Sequence, residues 1–583
     1  MGSGFDRSAA GEAESNFSGF RGDPMIPRLE DRRIGYFAQQ QTDFGLNEQG
    51  IAKTSYIRRW RLEPKDPDAY FSGQLSEPVK PIVFYIDPAT PAKWIPYLKQ
   101  GVEDWQKAFE GAGFKNAILA KDAPTPEEDP SFNVTDTRYS IIRYLASETE
   151  NAYGPHVADP RTGQILSSHI GWFHNVMNLI RNWYFVQTAA TNPEARKRVL
   201  DDEVMGELIR YIAAHEVGHS LGLPHNFMAS KAFSVDSLRS RTFTDQHGST
   251  PSIMDYARFN YIAQPEDGVR QFMPIMGPYD FYTINWGYRV FPNVEKPQDE
   301  TPILNRLIEE KADDPIYRYG RQMGFLERQN DPRSQTEDLG DDAVRASTYG
   351  IMNLQRIVLN LREWTYQEGD NYDALTDRYT RILGQWNLYV GHVQRQVGGI
   401  QTDHKSMDQS GEIYSPTPAA EQEAAVRFLN EQVFKTPTWL LDPSVINLVG
   451  DEGQMDRLLR NQNSILSRLM HVGNFNRLSE WEVRSDEPTF TVPRLLALLN
   501  EGMFDRAVES DPLRRALQRN YVTFLQAHVL SNLDNPAYDA ARNSLGMRTF
   551  PMNVNHSMHA EVALKELRSL IRNARRGTSG GKR

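Results

Sequence analysis

Tyr211-Ile-Ala-Ala-His215-Glu216-Val-Gly-His219-Ser-Leu-Gly222-Leu-Pro-His225 is the stretch from which the rest of the chain can be read. Val204, Leu208 and Ile212 lead into it at helical spacing, and Ile209, Ala213, Val217 and Leu221 keep the same rhythm, so a buried helix is expected. On such a helix His215 and His219 stand one turn apart on one face. Two imidazoles so placed can share one divalent metal, and zinc is the usual ion for nitrogen ligands with an open position. Glu216 follows the first histidine, where its carboxylate would act on a water held at the metal rather than bind the ion itself. Gly222 falls where helices commonly end in a left-handed residue. Pro224 stops the helix resuming, and the chain can then turn to bring His225 up as third ligand. Three neutral imidazoles leave the ion its double charge and an open position, the arrangement of a catalytic rather than a structural site. With 13 histidines in 583 residues, the spacing H-E-x-x-H-x-x-G-x-x-H seldom arises by chance. Core histidines packed so closely would also be costly to bury unpaired.

The motif resembles that of the metzincin zinc endopeptidases. The resemblance implies a methionine turn below the metal, and Ser252-Ile-Met254-Asp-Tyr256 looks like that turn. Met254 would then pack under the histidines without ligating. Tyr256 is similar to the tyrosine that in astacins and serralysins binds the metal and then swings to the oxyanion. Asn226, directly after the third histidine, departs from the acidic residue, serine or proline of the familiar subfamilies. Over most of its length the chain resembles a multi-domain bacterial branch of metzincin-like proteins, with uncharacterised N-terminal domains and a long helical region. Phe428-Leu-Asn-Glu-Gln-Val-Phe-Lys-Thr-Pro-Thr-Trp-Leu-Leu is similar to a stretch of that branch. The fold implied is α+β: a twisted mixed sheet with an active-site helix and methionine turn, a β-rich segment before it and a large α-helical region after it.

Composition bounds the answer from outside. A chain of 583 residues should hold about three or four domain-sized units. Its hydrophobic share of 39% is compatible with a sizeable core, and its net charge of −11 argues against nucleic acid or an anionic membrane as main partner. No apolar run is long enough to span a bilayer. There is no cysteine, so neither disulfides nor thiolate ligands are available, and a cysteine switch of the matrixin kind is excluded. That composition and the resemblance together suggest an exported bacterial protein, in the periplasm, at the outer membrane or secreted. No apolar signal segment follows Met1-Gly-Ser-Gly.

In chain order, residues 1–23 read as a flexible lead-in in which Phe20-Arg-Gly-Asp23 resembles the aspartate switch of astacin propeptides. Residues 24–78 read as a β-rich segment, and residues 79–292 as the protease-like domain. In the latter, Pro81–Ile86, Ala117–Ala120 and Tyr139–Tyr144 are expected strands, and Pro91–Gly111 a long amphipathic helix. Gly163–Ile170 is a further strand. From the family order, Gln164, Ile165, Leu166, Ser167 and Ser168 are expected to form an exposed edge that pairs with extended substrate. His156, Asp159, His169 and His174 cluster around it, but a second, structural metal is not expected. Residues 175–202 suggest a helix with a proline break. Pro278–Tyr288 resembles the D-x-x-x-I helix that closes metzincin domains, with Asp280 able to accept hydrogen bonds from the site. Residues 293–574 should be helical, with runs at Ile303–Gln322, Ala343–Gln367, Asp373–Gln396, Ala419–Phe434, Met455–Met470, Val492–Glu509, Pro512–Leu533 and His559–Arg572. Residues 575–583 read as a disordered tail.

The expectation is therefore a zinc-dependent endopeptidase acting on peptide or protein, with one zinc and Glu216 as general base. Two other readings stay open: a binding or assembly protein with a vestigial protease domain, and a zinc hydrolase of non-peptide substrates. The intact Glu216 speaks against the first, because a binding protein needs no base.

Overall fold

The computed structural model describes residues 24–44, 50–321, 331–450, 452–504, 511–530 and 556–579. The expected lead-in with Phe20–Asp23 lies outside them. Two compact units emerge: Met1–Phe185 with Asn192–Asn260 and Asp267–Gln322, and Val186–Thr191 with Tyr261–Glu266 and Met323–Arg583. The first unit runs on past Pro292 because buried Arg28 ties both ends of it together. Its guanidinium pairs with Glu300 and donates to the carbonyls of Trp286 and Arg289.

The first unit is built on a mixed sheet. Strands β4 (Ile82–Ile86), β5 (Ile118–Asp122), β6 (Ser140–Leu145) and β9 (Gln164–Phe173) run parallel in the order β5-β4-β6-β9. Strand β4 alternates buried and half-buried residues as a period of two requires. The N-terminal segment forms a hairpin, β1 (Ala38–Asp43) against β2 (Ala52–Ile57). It then adds a short strand β3 (Arg59–Trp60) to β9, so its last strand belongs to this sheet.

Two short strands missing from the sequence reading, β7 (Ala152–Tyr153) and β8 (His156–Ala158), lie antiparallel to β9. Ile165 pairs with Trp60 on one side and Ala158 on the other, and Gly171 with Arg143 and Tyr153. Strand β9 is therefore interior, and the expected substrate edge at Gln164–Ser168 is covered. The outermost strand on this side is β7–β8. Its Gly154-Pro155 step reads as a turn in sequence, yet an edge strand tolerates proline because one row of its N–H groups is not needed by the ladder.

The motif helix spans Asp202–Ser220, with both apolar stripes buried except at Val204, which is half-buried. The long helix expected over Pro91–Gly111 is broken into Ile95–Glu103 and Gln106–Gly111. Both residues at the break grip the motif helix. Asp104 takes a bidentate pair from Arg210 at 2.7 and 2.8 Å, and Trp105 turns inward to donate its Nε1 to Ala214 O at 2.9 Å. Residues 175–202 give a helix, Val176–Thr188, and a single 3₁₀ turn at Pro193–Arg196.

The second unit is helical. Ala343–Thr365 and Asp373–Gln394 pair along their length, followed by Ala419–Leu429, Gln454–Leu469, Val492–Met503, Pro512–Leu530 and His556–Ser579. The helix Val472–Arg484 and the small hairpin Ile400–Thr402/Tyr414–Pro416 were not expected. The helix expected over Ile303–Gln322, in the first unit, instead covers Pro297–Glu309. The last helix continues into the start of the expected tail.

Candidate metal centre

The motif helix brings His215 and His219 to one face, and the turn after it returns His225 to them. His225 Nε2 lies 3.1 Å from His219 Nε2 and 3.1 Å from His215 Nε2. Two nitrogens bound to one tetrahedral zinc at about 2.05 Å would stand about 3.3 Å apart, so the spacing suits a shared ion. The tautomers agree. His215 Nδ1 donates to Ile253 O at 2.8 Å and His219 Nδ1 to Leu223 O at 2.7 Å. With the proton on Nδ1, each Nε2 presents a lone pair. The lone pairs of His215 and His219 are thus aimed at the place they share with His225 Nε2, and that is the fit a divalent ion requires. Burial pushes His215 down to about 3, His219 to about 4 and His225 to about 2, so all three are in the neutral, ligating form. Among the described residues they form the cluster suited to a metal.

Glu216 is buried beside this cluster, and its Oε2 has no hydrogen-bond partner. Burial pushes its carboxyl up to about 8. A dication nearby would act in the opposite direction.

Gly222 has φ +94°, the left-handed conformation expected at the end of the helix, and a Cβ there would strike the Arg58 carbonyl. Met254 is buried, and its sulfur, with the Trp105 ring, fills the space that a side chain on Gly218 would need. Met254 thus lies against the helix between the first two histidines. The Tyr256 ring sits 5.9 Å from His215 and 5.1 Å from His225, centroid to centroid. Asp280 is buried at the start of helix Pro278–Tyr288 and holds the turn before Met254. Its carboxylate accepts from Ser252 Oγ (2.7 Å), Ile253 N (2.8 Å) and Gly277 N (2.9 Å). Burial raises it to about 7, against the pull of those three donors. Ile253 thus links Asp280, through its N–H, to His215, through its carbonyl. Asn226 is also buried; its N–H donates to Met254 O, and its side chain clasps Arg318 O and Gly320 N.

A family model described as "Met-zincin" matches residues 197–511, more than half of the chain. The chain belongs to the Met-zincin family. A second model, a domain of unknown function (DUF5117), matches residues 13–65. No curated protein and no solved structure matches the chain. Membership supports a zinc metallopeptidase as the general reading of the site, with peptide or protein as substrate. No helix among the described residues is long and apolar enough to cross a membrane.

In this Met-zincin the outer strand adjoins the site. Gly154 passes so close to the motif helix that a Cβ there would strike the Glu216 carbonyl. His156 Nδ1 contacts His219 O at 3.2 Å. The other residues weighed for a second metal have separate partners. Asp159 pairs with Arg161, His169 Nε2 contacts Tyr139 O at 3.0 Å, and His174 contacts the Tyr144 hydroxyl.

Sequence reading also missed how the N-terminal segment frames the site. Trp60 Nε1 donates to Ser220 O at 2.9 Å, Phe37 N to Gly222 O at 2.8 Å, and Arg58 N to Phe37 O at 2.7 Å. All three residues fall within the 13–65 match. Nothing in the sequence signals the contacts of Phe37 and Arg58, because main-chain pairing carries no residue signature, and the Trp60 indole meets a carbonyl that any residue would offer.

Proposed function

We propose that the chain is a zinc-dependent endopeptidase whose catalytic base is Glu216. The observation that carries the reading is the convergence of the Nε2 atoms of three neutral histidines, with a buried, partnerless carboxylate oxygen on Glu216, the residue after the first of them. A zinc ion held by His215, His219 and His225 would supply a Lewis acid that withdraws electron density from an oxygen. Glu216 takes a proton at Oε2 from the attacking water as the new C–O bond forms at the scissile carbonyl. It then delivers that proton to the amide nitrogen as the C–N bond breaks. The Tyr256 hydroxyl donates to the oxyanion that develops. Met254 supports the histidines from below, and the outer strand Ala152–Ala158 takes the docking role expected of β9. Extended substrate would add to it as a further strand, a mode that reads main chain and so tolerates varied side chains.

The test is incubation of the purified chain with a peptide library, with and without chelator, reading cut sites by mass spectrometry. Chelator-sensitive internal cleavage that disappears in Glu216→Ala is the expected result. A zinc-loaded chain that cuts nothing would overturn the proposal.

A further inference from the structure

We infer that the N-terminal segment, through Phe37, forms an apolar subsite of the active-site cleft that holds a large apolar side chain of the substrate next to the scissile bond. The inference rests on the peptidase reading above and names a specificity determinant within it.

The Phe37 ring centroid lies 6.1 Å from that of His219 and 5.6 Å from that of His156. One of those residues is a proposed metal ligand and the other belongs to the outer strand, so the ring stands in the angle between metal and docking edge. It is 37% exposed, whereas neighbouring Ile34 and Tyr36 are buried. Partial exposure of one apolar ring is ordinary on a protein surface, so it is the place of this ring, between His219 and His156, that carries the inference. Phe37 keeps part of its surface open where substrate must pass.

Its backbone is held from two directions. The Phe37 N–H donates to Gly222 O and its carbonyl accepts from Arg58 N, while Gly222 has no room for a side chain beneath the Arg58 carbonyl. Tyr36 is anchored in turn by its hydroxyl, which donates to Thr283 O at 2.9 Å. A ring fixed in this way loses little freedom when a ligand meets it, so contact area is converted efficiently into affinity. Phenylalanine offers no hydrogen bond, so the side chain that it favours is large and apolar.

The experiment compares wild type with Phe37→Ala, Phe37→Leu and Phe37→Gln on the peptide library. In parallel, two extended peptides that differ only as Leu or Ala at the selected position are titrated into the Glu216→Ala chain by calorimetry. Expected is a preference for large apolar residues at one position flanking the cut, lost in Phe37→Ala and kept in Phe37→Leu. For the Leu peptide, Phe37→Ala should raise KM about tenfold with kcat little changed, and should weaken calorimetric binding to match. Phe37→Gln keeps a side chain of several atoms in place but makes it polar, so it carries the test if the alanine variant does not fold. Equal preferences in wild type and in Phe37→Ala or Phe37→Gln would overturn the subsite and leave the peptidase standing. Peptide binding without cleavage by wild type would overturn the peptidase. If the Glu216→Ala chain bound the Leu and Ala peptides equally, the subsite would fall and the peptidase would stand.

Discussion

Replacing Asp280 by alanine tests whether the metal ligands are held from outside the motif. The carboxylate accepts from two buried backbone N–H groups, Ile253 and Gly277, and from the Ser252 hydroxyl. Alanine would leave three donors without an acceptor in a place that water does not reach. Each orphaned buried donor costs about 1–3 kcal/mol. The serine hydroxyl can turn elsewhere, so a loss of about 3–5 kcal/mol is expected. Ile253 is also the residue whose carbonyl accepts from His215 Nδ1 at 2.8 Å. Loosening its peptide unit should therefore weaken zinc binding by about 10- to 100-fold, or roughly 1.4–2.7 kcal/mol. Asparagine is the informative control. Its oxygen can keep both backbone donors and its amide can donate to Ser252 Oγ, so Asp280→Asn should lose much less on both counts. Urea unfolding measures the first effect and competition against a chromophoric chelator the second. If Asp280→Ala lost stability yet bound zinc as tightly as wild type, the link from Asp280 through Ile253 to His215 would be refuted.

Glu216→Gln should still bind zinc but lose about 10²- to 10⁴-fold in turnover; turnover near wild type would remove Glu216 as base. Tyr256→Phe should lower kcat about 10²- to 10³-fold with little change in KM, as loss of one oxyanion donor does. A shift confined to KM would make the hydroxyl a binding group instead. Gly222→Ala must place a side chain at φ +94° against the Arg58 carbonyl, and should lower stability by about 1–3 kcal/mol. An unchanged unfolding midpoint would mean that the helix end relaxes freely. Asn226→Ala should release Arg318 and Gly320 at about 1–3 kcal/mol, read as faster proteolytic nicking near residue 320; unaltered nicking would deny Asn226 that role.

What could be read from sequence follows from which interactions leave a mark on residue type. The three histidines, Glu216, Gly222 and Met254 were legible because each position admits few side chains, and Asp280 because its spacing to Ile284 is distinctive. The central strands were legible as short runs of β-branched and aromatic residues. The outer strand was not: Gly154 is there because the helix leaves no room for more, and Pro155 because an edge tolerates it. Together the two look like a turn. Taking β9 for the edge followed from that omission, since a strand without its outer neighbour is an edge by default. The break at Asp104-Trp105 was hidden for another reason. Apolar spacing runs straight through it, and the contacts that Asp104 and Trp105 make with Arg210 and Ala214 O leave no mark on that spacing.

The carbonyls that orient His215 and His219 belong to Ile253 and Leu223, and any residue would offer the same group. The end of the motif helix carries this argument furthest. A helix leaves its last four carbonyls without partners, and here the metal site is built on that end. His219 O is met by Gly222 N at 3.0 Å and by His156 Nδ1 at 3.2 Å, Ser220 O by Trp60 Nε1, Leu221 O by the Tyr288 hydroxyl at 2.7 Å, and Gly222 O by Phe37 N. The donors come from the outer strand, the N-terminal segment and the closing helix. The glycine and proline of the motif permit the turn that carries His225 back, but permission is not position. Four carbonyl contacts with distant donors fix where the turn goes, and an isolated peptide with the same motif would have none of them. The N-terminal segment supplies two of them, which makes it part of the metal site's frame rather than an attachment to it.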